Sequence, residues 1–193
     1  MAHHQTLGVP VEITAAIESD LNACAECFMA SEVARRYEYS YESILARLTG
    51  ALGKAELWVS SEQGEVLGYV WCVLDGPFYS EPYLSGIAVR ASCRSKGIGS
   101  QLLAFFEEKA FAVSERAFLL VGDYNVRAQE FYRSKGYIEV RRIPDFSKAG
   151  IAELIMFKRR VAATPNQSVE PTGLASTPRA DARVAPTKPV AHH

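Results

Sequence analysis

The segment that most constrains this chain is Ile87-Ala-Val-Arg-Ala-Ser-Cys-Arg-Ser-Lys-Gly-Ile-Gly-Ser100, followed directly by an amphipathic run. A strand, Tyr83 to Val89, ends in a polar loop carrying Arg94, Lys96, Gly97 and Gly99, and from Ile98 the periodicity is helical. Backbone N–H groups at a helix start have no intrahelical acceptor, and the helix dipole favours negative charge there. The glycines admit unusual φ values and let an anion approach the main chain, while Arg94 and Lys96 add positive charge. The expected ligand is a phosphate or pyrophosphate. Two familiar phosphate loops do not fit: there is no GxxxxGK followed by Ser or Thr, and Gly97-Ile-Gly99 lacks the third glycine of a dinucleotide fingerprint.

The rest of the first 160 residues alternates strand and helix signals. Val9 to Thr14 reads as a strand, and Ile17 to Val33 and Tyr41 to Leu52 read as helices. Glu56 to Ser61 and Val66 to Leu74 read as strands paired through a Glu-Gln-Gly-Glu turn. In the helix after Ile98, Leu102, Leu103, Phe106, Ala110 and Val113 form one stripe, with Glu107, Glu108 and Lys109 expected to face water. Phe118 to Val121 is a short strand, Ala128 to Tyr132 lies on a brief helix closed by Gly136, and Tyr137 to Arg142 and Ala152 to Lys158 finish as strands. The predicted class is α/β, a mixed α+β layer structure.

Composition divides the chain near residue 161. Every aromatic residue precedes that point, while Pro165, Pro171, Pro178, Pro186 and Pro189 follow it. Such a stretch builds neither ladder nor core, so 9–160 is read as the folded domain, 161–193 as a disordered tail and 1–8 as a flexible N-terminus. A net charge of −1 gives no electrostatic footprint for nucleic acid or an anionic membrane. No apolar run reaches signal-peptide length at the N-terminus or the ~20 residues of a membrane span, so a cytoplasmic, reduced protein is expected. Cys24 and Cys27 form a CxxC, but Cys72 and Cys93 supply no second ligand pair, and three-residue spacing in a helix places both thiols on its apolar face. No metal is expected, and the histidine pairs at 3–4 and 192–193 read as solvated.

A second segment completes the picture: Asn125-Val-Arg-Ala128-Gln-Glu-Phe131-Tyr132-Arg-Ser-Lys-Gly136-Tyr137 opens a helix just after the 118–121 strand. Asn125 is a good N-cap whose side chain could instead meet a ligand between two splayed strands. Phe131 and Tyr132 point about 100° apart, so one can enter the core while the other faces a cleft. Together the two segments resemble the GNAT superfamily of N-acetyltransferases. Arg94-Ser-Lys-Gly97-Ile-Gly99 is similar to that family's Gln/Arg-x-x-Gly-x-Gly/Ala loop, the Asn125 to Tyr137 string to its second cofactor-side motif, and Glu153-Leu-Ile-Met-Phe-Lys158 to its last strand. The resemblance covers roughly 9–160 and implies a mixed, mostly antiparallel sheet flanked by helices, with splayed central strands.

It also implies roles. Main-chain groups of Ile87, Ala88 and Val89 would pair with the pantetheine arm of acetyl-CoA. Backbone N–H groups across Ser95, Lys96, Gly97, Ile98, Gly99 and Ser100 would hold the pyrophosphate, with Arg94 and Lys96 nearby. Asn125 would contact the pantetheine, Ala128 would leave room for it, and Tyr132 would protonate the departing thiolate. The implied reaction moves an acetyl group to a primary amine of a small molecule or peptide, by direct attack in a ternary complex. No nucleic-acid or membrane partner is implied, and a homodimer is left open.

The general base has no matching residue. Where many relatives carry a carboxylate on the central strand stand Ser85 and Gly86, and Leu120 occupies the position of a glutamate found in some protein N-terminal acetyltransferases. That departure motivates an alternative, a non-catalytic acyl-CoA-binding module. Tyr79, Glu81 and Asp123 are the nearest substrate-binding candidates in sequence, and a water chain could equally act as base. Tyr37, Tyr39, Tyr41, Phe78 and Tyr83 make the acceptor-side helices and the loop from Asp75 to Pro82 rich in aromatics.

Overall fold

The structure is a computed structural model that describes residues 12–54 and 56–161. The expected flexible segment 1–8, the tail beyond Val161 and the terminal histidine pairs lie outside the described residues. In chain order the elements are β1 (Glu12–Ala15), α1 (Leu21–Met29), α2 (Glu32–Arg36), α3 (Tyr41–Gly53), β2 (Leu57–Glu62), β3 (Glu65–Val73), α4 (Pro77–Ser80), β4 (Tyr83–Val89), α5 (Ile98–Val113), β5 (Arg116–Gly122), α6 (Val126–Ser134), β6 (Ile138–Lys148) and β7 (Ile151–Arg159).

The helix expected over 17–33 is interrupted. Ser31 is extended and its hydroxyl accepts from Ala34 N at 3.2 Å, which starts α2 as a new helix. A serine side chain that satisfies the backbone this way competes with helix continuation. The turn between β2 and β3 is the one foreseen: Gln63 and Gly64 both take positive φ, 51° and 80°, as a primed hairpin turn requires. The short α4 was not foreseen.

The seven strands form one sheet in the order β1-β2-β3-β4-β5-β7-β6. All neighbours are antiparallel except β4 and β5, which run parallel and pair only at Tyr83 with Phe118 and Leu84 with Leu119. The register between β3 and β4 shifts there, because Trp71 pairs with Gly86 and Cys72 with Leu84, leaving Ser85 as the extra residue. A bulge bends its strand and increases the local twist, which turns the second half of β4 away from β5. The expected splay is therefore present, and its free edges are Gly86–Val89 of β4 and Leu120–Gly122 of β5.

One face of the sheet is covered by α5. Leu102, Leu103, Phe106 and Ala110 are buried against Val70, Leu84, Leu119 and Met156. On the other face α1 and α3 bury Leu21, Cys24, Ile44 and Leu48 over Leu57, Val59 and Tyr69. The α5 stripe is shorter than its sequence suggests, because Val113 is 64% exposed at the helix end. Nor do Glu107 and Lys109 simply face water. Glu107 pairs with Lys158 at 2.7 Å, and Lys109 Nζ sits 4.0 Å from the centre of the Trp58 ring. Cys24 and Cys27 are core residues, and burial pushes the Cys24 thiol up to about 12. No group of three or more candidate metal ligands, and no helix long and apolar enough to cross a membrane, occurs among the described residues.

Gly68 sets the closeness of β3 to β4. A Cβ there would lie 2.6 Å from the Ala88 carbonyl oxygen and 3.2 Å from Val89 Cα. Overpacking of this kind typically costs about 1–3 kcal/mol. Chemical denaturation of Gly68→Ala is expected to show that loss, and a midpoint equal to wild type would mean the strand pair can relax.

Candidate functional site

The gap between β4 and β5 is bordered by the strand residues expected to hold a ligand. On its β4 side, Ile87, Ala88 and Val89 are half-buried and use one edge to pair with Val70, Tyr69 and Gly68. Their other edge faces the gap, because pairing with β5 has already ended at Leu84. Such an edge is open to an extended polar chain that can pair with it as a strand would.

Next comes the basic loop. Ser95 and Gly97 take φ of 64° and 87°, and Gly97 is the N-cap of α5. The carbonyl of Gly97 accepts from Ser100 N at 3.0 Å and Gln101 N at 3.1 Å, so the amides without an intrahelical acceptor are those of Ile98 and Gly99. Gly99 has an ordinary φ, and a Cβ on it would meet only Val89 Cγ2, at 3.8 Å. The protein's own packing does not require glycine there, so its missing side chain keeps the amides open to an anion. Arg94 is engaged structurally as well: its guanidinium donates to Val89 O at 3.3 Å and to Ala30 O at 3.1 Å, tying the loop to the end of α1. Lys96 is exposed.

A further cation was not singled out in the sequence. Arg127, in the first turn of α6, reaches across to Ser95 Oγ at 3.4 Å. Its position two residues after the Asn125 cap was the available signal. Asn125 does cap α6, its Oδ1 accepting from Ala128 N at 3.2 Å. Buried Gln129 fixes the preceding turn by donating to Gly122 O at 3.1 Å and Asp123 O at 3.0 Å.

Tyr132 projects from α6 into the core and is 7% exposed. Its ring meets Tyr137 edge-on at 5.8 Å and Phe131 at 5.3 Å. Burial, and then the neighbouring Tyr83 hydroxyl, hold its phenol above the ordinary range, so it is protonated at neutral pH.

On the side of the sheet away from α5 and α6, strand alternation and register align Tyr83, Phe118, Leu120, Ile155, Phe157 and Glu153. Phe118 stacks on Phe157 at 5.7 Å, and Phe78 lies over it at 5.3 Å. Glu153, opposite Gly122 at the open end of the splay, is 7% exposed and was not recognised as a site residue. Tyr37, from the turn after α2, donates its hydroxyl to Glu153 Oε1. Burial raises the Glu153 carboxyl, the Tyr37 hydrogen bond opposes this, and nearby Asp123 raises it further. Burial and the Glu153 charge in turn push the Tyr83 and Tyr124 phenols up to about 12. Tyr124 is held close because Gly122 leaves room for its ring, which a Cβ would strike.

A chain of rings, Phe28, Tyr39, Tyr37 and Tyr124, runs beside this carboxylate with centroids 5.5, 6.0 and 6.1 Å apart in turn. Lys148 anchors the same turn to β6, bonding Arg36 O at 3.0 Å and Glu38 at 2.9 Å. The acceptor-side candidates read from sequence separate. Asp123 adjoins Glu153 and pairs with Arg142. Glu81 lies at the closed end, where Arg116 and Ser114 both bond its carboxylate. Tyr41 donates to Asn22 Oδ1 at 3.1 Å, and the side chain of Tyr79 is outside the described residues.

Comparisons with known proteins bear on the family and the fold. The model of the acetyltransferase (GNAT) family matches residues 17–137. An uncharacterized N-acetyltransferase of Methanocaldococcus jannaschii is 28% identical over 105 residues, a match spanning 53% of this chain and 65% of that relative. Among solved structures, a protein of Pyrococcus horikoshii OT3 superposes with a TM-score of 0.67 at 18% identity, covering 79% of this chain and 99% of that one. A GNAT family acetyltransferase of Bacillus cereus ATCC 10987 gives 0.65 at 16% identity, with the same coverage. These two likenesses concern the fold; the family match covers the glycine loop, the splayed strands and Tyr132, and the chain belongs to the GNAT family of acetyltransferases.

Proposed function

We propose that this chain transfers the acetyl group of acetyl-CoA to a primary amine of a small molecule or peptide, by direct attack within a ternary complex. The observation that carries the reading is the abrupt end of β4–β5 pairing after Leu84 and Leu119, which leaves an open edge on β4 that leads into the glycine loop before α5. Acetyl-CoA supplies an activated thioester. Ile87, Ala88 and Val89 bind its pantetheine arm through their free edge. The amides of Ile98 and Gly99, within the loop from Ser95 to Ser100, hold the pyrophosphate, with Arg94, Lys96 and Arg127 supplying positive charge around it. Asn125 and Ala128 border the arm.

The amine enters from the face carrying Tyr37, Tyr83 and Glu153. Tyr132 donates a proton to the sulfur as the carbon–sulfur bond breaks, since a phenol is protonated at neutral pH and donates over a short distance. Two measurements test the reading. Acetyl-CoA at 100 times its dissociation constant should stabilise the fold by about 2.7 kcal/mol. Thiol release from acetyl-CoA should then depend on an added primary amine, across a panel of phenethylamine, n-hexylamine and peptides with free N-termini. Stabilisation without turnover on such a panel would favour a binding module.

A further inference from the structure

We propose that Glu153 is the proton acceptor for the incoming amine and that Tyr37 positions its carboxylate; the proposal rests on the amine-acceptor reading above. The β4 position at which the family resemblance implies a carboxylate holds the bulge residue Ser85 and then Gly86. The two described acidic residues less than a tenth exposed are Glu81 and Glu153. Glu81 is neutralised by Arg116 at the closed end of the splay. Glu153 has no ion pair among the described residues and lies at the open end, on the acceptor face of β7. One of its oxygens takes the Tyr37 hydroxyl.

The groups around it come from every neighbouring element. Tyr37 contributes from the turn after α2, Asp123 and Tyr124 from the β5–α6 turn, and Tyr83 from β4. Arg142 of β6 is spent on Asp123, and Arg36 lies over the Tyr124 ring at 5.1 Å. Tyr83 shares this face of the sheet with Glu153, whose charge helps to raise its phenol. An amine entering as the ammonium ion meets in Glu153 a negative charge with hydroxyl-bearing rings around it.

The protons balance. The ammonium gives one proton to Glu153, the freed nitrogen attacks the thioester carbon, the carbon–nitrogen bond forms and the carbon–sulfur bond breaks. Sulfur takes a proton from Tyr132, and the second proton leaving nitrogen restores the phenol. Glu153 returns its proton to water. A carboxylate raised by burial above its ordinary range holds a proton better than an ordinary surface one.

The test is the pH dependence of amine acetylation by wild type, Glu153→Gln, Tyr37→Phe and Asp123→Asn, using whichever member of the amine panel turns over fastest. Glu153→Gln is expected to lose about 10²–10⁴-fold in kcat and the acidic limb of kcat/KM, with acetyl-CoA stabilisation retained. Tyr37→Phe removes a hydrogen bond that lowers the Glu153 carboxyl, so its acidic limb should move to higher pH. Asp123→Asn removes a charge that raises it, so its limb should move to lower pH. General damage would not shift the limb in opposite directions, and these two variants decide the matter should Glu153→Gln fail to fold. Wild-type kcat and an unmoved profile in Glu153→Gln, or unmoved limbs in the other two, would overturn the proposal while leaving amine acetylation intact. Absence of turnover by wild type on the whole panel would instead overturn the amine-acceptor reading, and this inference with it.

Discussion

Tyr132→Phe should lower kcat by about 10²–10⁴-fold while leaving acetyl-CoA binding unchanged, the range expected when a general acid is lost. The substitution removes one hydroxyl and keeps the ring that packs edge-on against Tyr137 and beside Phe131. The loss is therefore chemical rather than architectural. A buried phenol raised above its usual range is a weak acid, but a thiolate leaving beside it would be desolvated by the same surroundings, which would raise its own affinity for the proton. Tyr132 stays protonated through neutral pH, so it contributes no basic limb to the rate profile there. Steady-state kinetics with a saturating amine makes the comparison, and an unchanged kcat would remove Tyr132 from the acid role.

Gly99→Glu should abolish acetyl-CoA binding without harming the fold. The glycine has ordinary backbone angles and a Cβ would meet only Val89 Cγ2 at 3.8 Å, so the side chain can be accommodated. Replacing glycine near a helix start gains propensity, and a carboxylate in the first turn favours the helix dipole. Both effects hold or raise the stability of the free protein. The same carboxylate, however, occupies the space before the amides of Ile98 and Gly99 and repels a pyrophosphate. Thermal melts are expected to show a free-protein midpoint at or above that of wild type, and loss of the stabilisation of about 2.7 kcal/mol that ligand at 100 times its dissociation constant provides. Retained stabilisation by acetyl-CoA would place the phosphates elsewhere.

The parts legible in the sequence are those written locally. Gly97 sits where the chain needs a φ of 87° to enter α5, Asn125 caps α6, and Gln63-Gly64 forms the hairpin turn. The end of Tyr83–Val89 is legible because a polar loop follows it. Long-range pairings were not legible. Glu153 reaches the open end of the splay because β7 sets it opposite Gly122, and it meets Tyr37, 116 residues away, only through the fold. Arg127 faces the glycine loop only because the splay brings the start of α6 toward the start of α5. Glu81 shows the converse: adjacent in sequence to β4, it is drawn to Arg116 and Ser114 at the wrong end of the strand for an acceptor. The break between α1 and α2 depended on one serine choosing to cap, which apolar spacing alone does not reveal.

The central claim, direct acetyl transfer from acetyl-CoA to an amine held in the splay, is tested most directly by a single-turnover experiment. Protein in excess over isotopically labelled acetyl-CoA is mixed with an amine, and the label is followed by mass spectrometry on the amine and on the protein. Label should pass to the amine with one free CoA per product and without an acetylated protein intermediate, and Tyr132→Phe should slow that single step. Label that accumulates first on the protein, or thiol release with none on the amine, would contradict direct transfer.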